Sequence, residues 1–147
     1  MLRAVLLSSC VVLAGVLAVA QSPSSPRQAE AVSLAGVPLY PPDPIPNRAT
    51  LEADLALAQS VYSTAQPEAM ITIGRRHAYL WHYREAIDWF TKGMARYPND
   101  ARMYRHRGHR YITTRKFDLA RADLEKAAAL IKGTPDAVEP DGAPNPS

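Results

Sequence analysis

Four histidines, His77, His82, His106 and His109, are the side chains best suited to acid–base chemistry or metal binding in this chain. His106 and His109 are three residues apart, which places both on one face of a helix. The carboxylates that would complete a metal site are missing nearby, and five arginines around the pair oppose a divalent cation. We therefore interpret the histidines as surface residues, and we predict no metal site and no cofactor.

Motifs of known catalytic sites are also missing from the sequence. It contains no nucleophile elbow, no phosphate-binding loop and no metalloprotease helix. Cys10 is the only cysteine, and it lies in a segment that we expect to be removed on export, although lipidation at Cys10 is a minor alternative. Without it the chain has no thiol for a disulfide, a zinc site or a nucleophile. We predict a protein that is not an enzyme and has no catalytic residues.

Residues 1–20 have the features of a secretory signal peptide. Arg3 precedes an apolar run over residues 4–18, and Ala18-Val19-Ala20 matches the small-x-small pattern of a cleavage site. We expect cleavage near Ala20 and a periplasmic or secreted protein with no stable membrane span. The alternative is a membrane anchor that is never cut, although the run is shorter than the roughly 20 residues of a spanning helix.

Basic side chains are concentrated near the end of the chain. Residues 101–132 contain nine lysines and arginines but three acidic residues, whereas residues 133–147 contain three acidic residues and no basic one. A basic cluster attracts nucleic acid, anionic lipid headgroups or acidic peptides. Export makes nucleic acid the least expected partner. The alternative is a solvated helix face that serves solubility. The sequence favours neither the binding surface nor the solvated face.

The distribution of proline sets the domain boundaries. Residues 21–47 contain seven prolines and few large apolar residues, so we predict a disordered proline-rich linker. Residues 133–147 have the same character and are predicted to be a disordered acidic tail. Between them, only Pro67 and Pro98 interrupt residues 48–132. This segment is therefore the predicted folded domain.

The folded domain is predicted to be all-α, because its apolar residues recur at spacings of three and four. No segment alternates with period two, so we predict no strands. Thr50 and Asp100 are the expected N-caps of the first and fourth helices. The expected helices are, in chain order, Thr50–Ala65, Pro67–Leu80, Arg84–Tyr97, Ala101–Thr114 and Phe117–Ile131.

A 34-residue period relates two segments of this domain. Gly74 is matched by Gly108, and the same interval pairs Tyr83 with Phe117, Ala86 with Ala120, Phe90 with Leu124 and Gly93 with Ala127. The pattern resembles the tetratricopeptide repeat family, in which each 34-residue repeat is a helix–turn–helix. The resemblance implies an α-solenoid fragment of two repeats, residues 67–100 and 101–134, plus one preceding helix. Its structural positions are Gly74, Ala86, Phe90, Pro98, Gly108, Tyr111, Ala120 and Leu124.

Some residues depart from the family pattern. Arg107 stands where leucine is usual, and Trp81 lies in a turn where glycine is common. Arg107 either extends its head to water or indicates a repeat that lacks a fully formed partner on that side. The last helix has no polar cap after it, although stacked repeats need capped ends.

The resemblance also implies a binding surface, because the first helix of each repeat lines a concave groove in this family. The groove positions include Arg75 and Tyr79 in the first repeat, and Arg102, Arg105 and His109 in the second. Arginine favours carboxylates, because its planar fork donates two parallel hydrogen bonds. The implied function is a protein-interaction scaffold that binds a protein or peptide partner, with acidic partners favoured. The alternative is an N-terminal structural segment of a longer exported repeat protein with no binding role.

Overall fold

The computed structural model describes residues 28–61 and 66–135. The predicted signal peptide and the acidic side chains of the tail lie outside these residues. A short hairpin, β1 (Ala31–Val32) and β2 (Pro38–Leu39), precedes five helices. The helices are α1 (Arg48–Val61), α2 (Pro67–Tyr79), α3 (Tyr83–Arg96), α4 (Ala101–Thr113) and α5 (Phe117–Ile131). The prediction of an all-α domain with five helices is confirmed.

The prediction of no strands is wrong for the segment before α1. Strands β1 and β2 pair in antiparallel register, with Ala31 opposite Leu39 and Val32 opposite Pro38. The two-residue strands are too short to show a period-two pattern in the sequence, and the turn between them depends on Gly36 at φ +79°. The predicted linker therefore contains a hairpin over residues 31–39.

Two of the three helix starts that the sequence assigned to a capping residue or a proline are observed, whereas the N-caps of α3 and α5, His82 and Lys116, make no side-chain cap hydrogen bond. Asp100 accepts a hydrogen bond from the backbone N–H of Arg102 at 3.0 Å, as expected of the N-cap of α4. Pro67 occupies the first turn of α2, where its missing N–H is tolerated. Thr50 is not a cap, because α1 begins at Arg48. The predicted end of this helix at Ala65 falls outside the described residues.

Each helix packs against the next one along the chain, and α2 also contacts α4. The core lies where α2, α3 and the start of α4 meet. Its buried members include Phe90 and Met103, which are almost fully inaccessible to solvent. The complete cluster consists of Met70, Ile71, Ala78, Tyr83, Ala86, Phe90 and Met103.

Two glycines that are one period apart lie at close helix crossings. A Cβ atom placed on Gly74 of α2 would lie 2.5 Å from Cε1 of Phe90 in α3, and one on Gly108 of α4 would lie 3.0 Å from Cγ of Leu124 in α5. The second pair is the first moved along the chain by one 34-residue period. The same crossing is thus built twice, once in each helix pair.

The turns between paired helices are also repeated. Trp81 and Arg115, one period apart, have positive φ angles of 64° and 62°. In both turns the N–H of the next residue donates to a carbonyl five positions back, from His82 to His77 and from Lys116 to Tyr111. This left-handed conformation explains why glycine would suit the position where Trp81 and Arg115 stand.

Arg107 neither extends into water nor faces a missing partner. Its Nε and Nη2 atoms donate to the two carboxylate oxygens of Asp123 in α5 at 2.7 and 2.8 Å, and its Nη1 donates to Thr91 Oγ1 at 3.0 Å. Asp123 is 5% exposed. The pair ties α4 to α5 by two charge-assisted hydrogen bonds. The equivalent residues of the first helix pair, Ile73 and Trp89, are apolar.

Candidate binding surface

The side chains of one face of α2 and α4 meet in a basic cluster. We call this cluster the basic surface. Helices α2 and α4 lie side by side, so residues one period apart are brought together. The surface consists of Arg75, Tyr79, Arg105, His106, His109 and Arg110.

Arg75 and Tyr79 form the α2 half of the basic surface. The Nη2 of Arg75 donates to the hydroxyl of Tyr79 at 2.9 Å, and the guanidinium carbon lies 5.9 Å from the centre of the ring. Both residues are one helical turn apart, which is the spacing at which side chains meet on a helix. This bond holds the Arg75 head on the same face as the exposed Tyr79.

Arg105 of α4 lies within the electrostatic range of Arg75. Burial lowers the pKa of the Arg105 guanidinium, and the positive charges of Arg102 and Arg75 lower this pKa further, while Asp100 opposes the shift. The described neighbours of Arg105 therefore carry a net positive field. Such a field favours an anion that approaches from solvent.

His106 lies within the basic surface but is more buried than the sequence suggested. Its ring stacks on Phe90 with 5.4 Å between ring centres and 19° between the planes. Burial lowers the pKa of His106 to about 3, and the charges of Arg105 and Arg75 contribute to the same shift. The imidazole is therefore neutral at pH 7. It links the basic surface to the buried core.

His109 and Arg110 complete the α4 half of the surface. Burial, then Arg110 and Arg105, lower the pKa of His109. Arg110 lies over the ring of Tyr83 at 5.6 Å, and burial lowers the pKa of its guanidinium while Tyr83 and Tyr79 oppose the shift. Arg110 was not among the groove residues predicted from the sequence. Its stacking partner comes from another helix, and the sequence contains no signal for that contact.

Arg102 is engaged differently from the other predicted groove residues. Its Nε and Nη2 atoms donate to the Asp100 carboxylate at 2.9 and 2.6 Å, and Nη2 also donates to Glu68 Oε1 at 3.0 Å. The hydrogen bonds that Arg102 donates to Asp100, opposed by burial, raise the pKa of Arg102. Glu68 stands one period before Arg102, so this pair fastens α4 to α2. We assign Arg102 a structural role at the edge of the basic surface.

Within residues 28–61 and 66–135, no group of three or more His, Cys, Asp or Glu side chains is arranged to hold a metal ion. In the same two ranges, no helix has the length and apolar character needed to cross a bilayer. No protein-family model matches the chain, and no curated protein matches it significantly.

Proposed function

We propose that α2–α5 form two tetratricopeptide-type repeats and that the chain is an exported, non-enzymatic scaffold which binds an acidic peptide segment of a partner protein on its basic surface. The 34-residue repetition of the glycine crossings and of the turns supports the repeat assignment. The helix–turn–helix unit of that length is the hallmark of this family. Export rests on the signal-like segment of residues 1–20.

One observation carries the binding proposal. The pKa of one central residue, His106, is lowered by arginine charges from two different helices. These are Arg75 of α2 and Arg105 and Arg110 of α4. Three arginines within range of one position, beside the exposed Tyr79, suit a segment with carboxylates spaced along an extended backbone. A guanidinium group donates paired hydrogen bonds to such a carboxylate.

The test is a titration of fluorescently labelled Glu-rich and Gln-rich peptides of equal length into the chain that begins at Gln21. We expect the Glu peptide to bind and the Gln peptide to fail. Binding of the Glu peptide should weaken as salt rises from 50 to 500 mM, because exposed charges are screened.

Two charge-reversal variants distinguish binding at the basic surface from nonspecific attraction of the peptide to a basic protein. Arg105→Glu should abolish binding of the Glu peptide, whereas Arg121→Glu should leave it nearly unchanged. Arg121 lies on α5, is exposed and pairs with Glu125 at 3.3 Å. Equal affinities for the two variants, with unchanged helical circular dichroism, would reduce the cluster to a solvated helix face.

A second candidate function is supported by α5. This helix exposes Phe117, Leu119 and Ile131, which a further helix of a longer repeat array would cover. In that case the chain is a structural segment whose partner is more of the same protein. Adding the next residues of such a protein should then raise the thermal midpoint without creating affinity for the Glu peptide.

A further inference from the structure

The hairpin before α1 ends in a well-defined turn. The N–H of Ser33 donates to the Val37 carbonyl at 2.8 Å, and the N–H of Gly36 donates to the Ser33 carbonyl at 3.0 Å. The Ser33 hydroxyl accepts from the Val37 N–H at 3.0 Å. These three bonds close the turn, so the side chains at the tip have a defined place on the protein surface.

The side chains of this tip are apolar and exposed. Leu34 is 88% exposed and Val37 is 57% exposed, and Val32 beside them is also exposed. Turn tips normally carry Gly, Asn, Asp, Ser or Pro, so the conformation of the turn does not explain a leucine at this position. The twelve residues 31–42 contain no charged side chain. An apolar environment could therefore receive the tip without desolvating a charge.

The base of the hairpin is fastened to the helices. The Nη2 of Arg84 in α3 donates to the Ala29 carbonyl at 2.8 Å. Glu30 next to it is half-buried against α3, where burial raises its pKa and Arg84 lowers it. Ala31 and its cross-strand partner Leu39 are half-buried, whereas Val32 and Pro38 are exposed. The base is thus bound to the domain, and the tip is left to solvent.

We propose that this tip, defined by Leu34 and Val37, is a membrane-contact element that dips into the interfacial region of a lipid bilayer. Its place in the chain supports this partner. The apolar run of residues 4–18 lies upstream, and the eleven residues 21–31 reach at most about 40 Å when extended. Whether the upstream segment is retained or cut at the membrane, the hairpin is the described part of the chain nearest to it in sequence.

A second copy of the chain is a poorer occupant. Stable protein interfaces bury about 800 Å² on each partner, whereas the tip offers two large side chains flanked by Ala35 and Gly36. Two-residue strands also offer few backbone groups for pairing with another edge. A bilayer needs neither a large area nor a complementary shape. Since even one acyl chain gives only marginal membrane binding, the tip orients the protein on the membrane and does not anchor it alone.

The experiment is co-sedimentation of the chain that begins at Gln21, which contains every described residue, with phosphatidylcholine vesicles. These vesicles carry no net charge, so the basic surface contributes little. We expect weak partitioning that is insensitive to salt between 0.1 and 0.5 M. Leu34→Ser with Val37→Ser should lower the partition coefficient by on the order of tenfold or more, because both apolar side chains leave the bilayer.

The matched control is Leu57→Ser with Val61→Ser. These α1 side chains are 60% and 62% exposed, so the control removes a similar exposed apolar area elsewhere, and it should partition like the wild type. Equal partitioning of the hairpin and α1 variants would overturn the proposal, as would a wild type that stays in the supernatant at millimolar lipid. A concentration-dependent dimer that the hairpin substitutions abolish would assign the tip to a second copy instead. Because no Glu peptide is involved, these outcomes are independent of the proposed function.

Discussion

At the residue scale, the ion pair of Arg107 and Asp123 stands at positions where the first helix pair has the apolar residues Ile73 and Trp89. A buried ion pair contributes little more to stability than well-packed apolar residues would. Removal of one partner, however, leaves a buried charge without a counter-ion. The side chains of Arg107 and Asp123 are 17% and 7% exposed, so this asymmetry should be measurable.

We therefore predict that Arg107→Ile alone lowers the free energy of unfolding by about 3–5 kcal/mol, because Asp123 stays buried without its partner. The double substitution Arg107→Ile with Asp123→Leu should cost much less than this single change, and less than the sum of the two single changes. Urea denaturation of the wild type and the three variants measures the coupling. Additive losses would show that the two side chains do not act as a pair.

His106 should make stability depend on pH. Its pKa is lowered to about 3 in the folded protein from about 6.5 in an unfolded chain. Folding therefore favours the neutral ring, and this contribution is complete above pH 6.5 and is lost as pH falls from 6.5 towards 3. The slope for one such group is about 1.4 kcal/mol per pH unit.

The comparison that isolates this effect is His106→Phe, which keeps an aromatic ring against Phe90 but cannot take up a proton. Its free energy of unfolding should fall less steeply between pH 6.5 and 4.5 than that of the wild type. A residual slope is expected, because burial also lowers the pKa values of His77 and His109. Parallel curves for the two proteins would mean that His106 is solvated in the folded state.

At the scale of helix pairs, the two glycine crossings should respond differently to the same change. At Gly74 a new methyl group meets the ring of Phe90, which is almost fully buried and cannot move aside. At Gly108 it meets the half-buried Leu124, whose side chain has more freedom. Alanine also gains about 1 kcal/mol of helix propensity over glycine at both sites.

We predict that Gly74→Ala destabilises the protein by about 1–3 kcal/mol through overpacking, whereas Gly108→Ala is near neutral. Thermal unfolding followed by circular dichroism decides this, and Gly74→Leu should exaggerate the first result. If Gly108→Ala were the more damaging change, the crossing of α2 and α3 would be looser than described.

The repeated turns offer a stabilising change. Arg115 is exposed and has a φ angle of 62°, a conformation that side chains other than glycine rarely adopt. Arg115→Gly should raise the free energy of unfolding by roughly 0.5–1 kcal/mol, because relief of strain exceeds the added freedom of the unfolded chain. Lys116→Gly is the adjacent control with a negative φ angle, and it should lower stability. Thermal unfolding followed by circular dichroism measures both changes. A thermal midpoint for Arg115→Gly below that of the wild type would contradict the left-handed turn.

For the whole molecule, we predict marginal stability. The last helix leaves Phe117, Leu119 and Ile131 exposed, and stacked helical units gain most of their stability from neighbours. The chain from Gln21 should melt broadly within or below the roughly 45–65 °C typical of mesophilic domains. A cooperative transition well above 65 °C in a monomeric sample would show that the five helices need no further cover.

The sequence predicted those parts of the fold that depend on local periodicity. Five helices and the Asp100 cap followed from apolar spacing and capping chemistry. It did not predict the hairpin, whose strands are too short for a pattern, or the partner of Arg107, which lies sixteen residues away on another helix. The surroundings of His106 were missed for the same reason. Contacts between elements depend on packing geometry, which residue types alone do not specify.

The ion pair between α4 and α5 also bears on how two similar helix pairs avoid exchanging partners while the chain folds. Since α2 and α4 each present a glycine to the helix that follows, at Gly74 and Gly108, α5 could dock on α2 in place of α4. That docking would set Asp123 against Ile73 and bury a carboxylate with no cation to meet it. The same misdocking would leave Arg107 opposite the apolar Trp89 in α3. The charge pair therefore disfavours docking of α5 on α2. It favours the observed arrangement, in which α5 packs on α4.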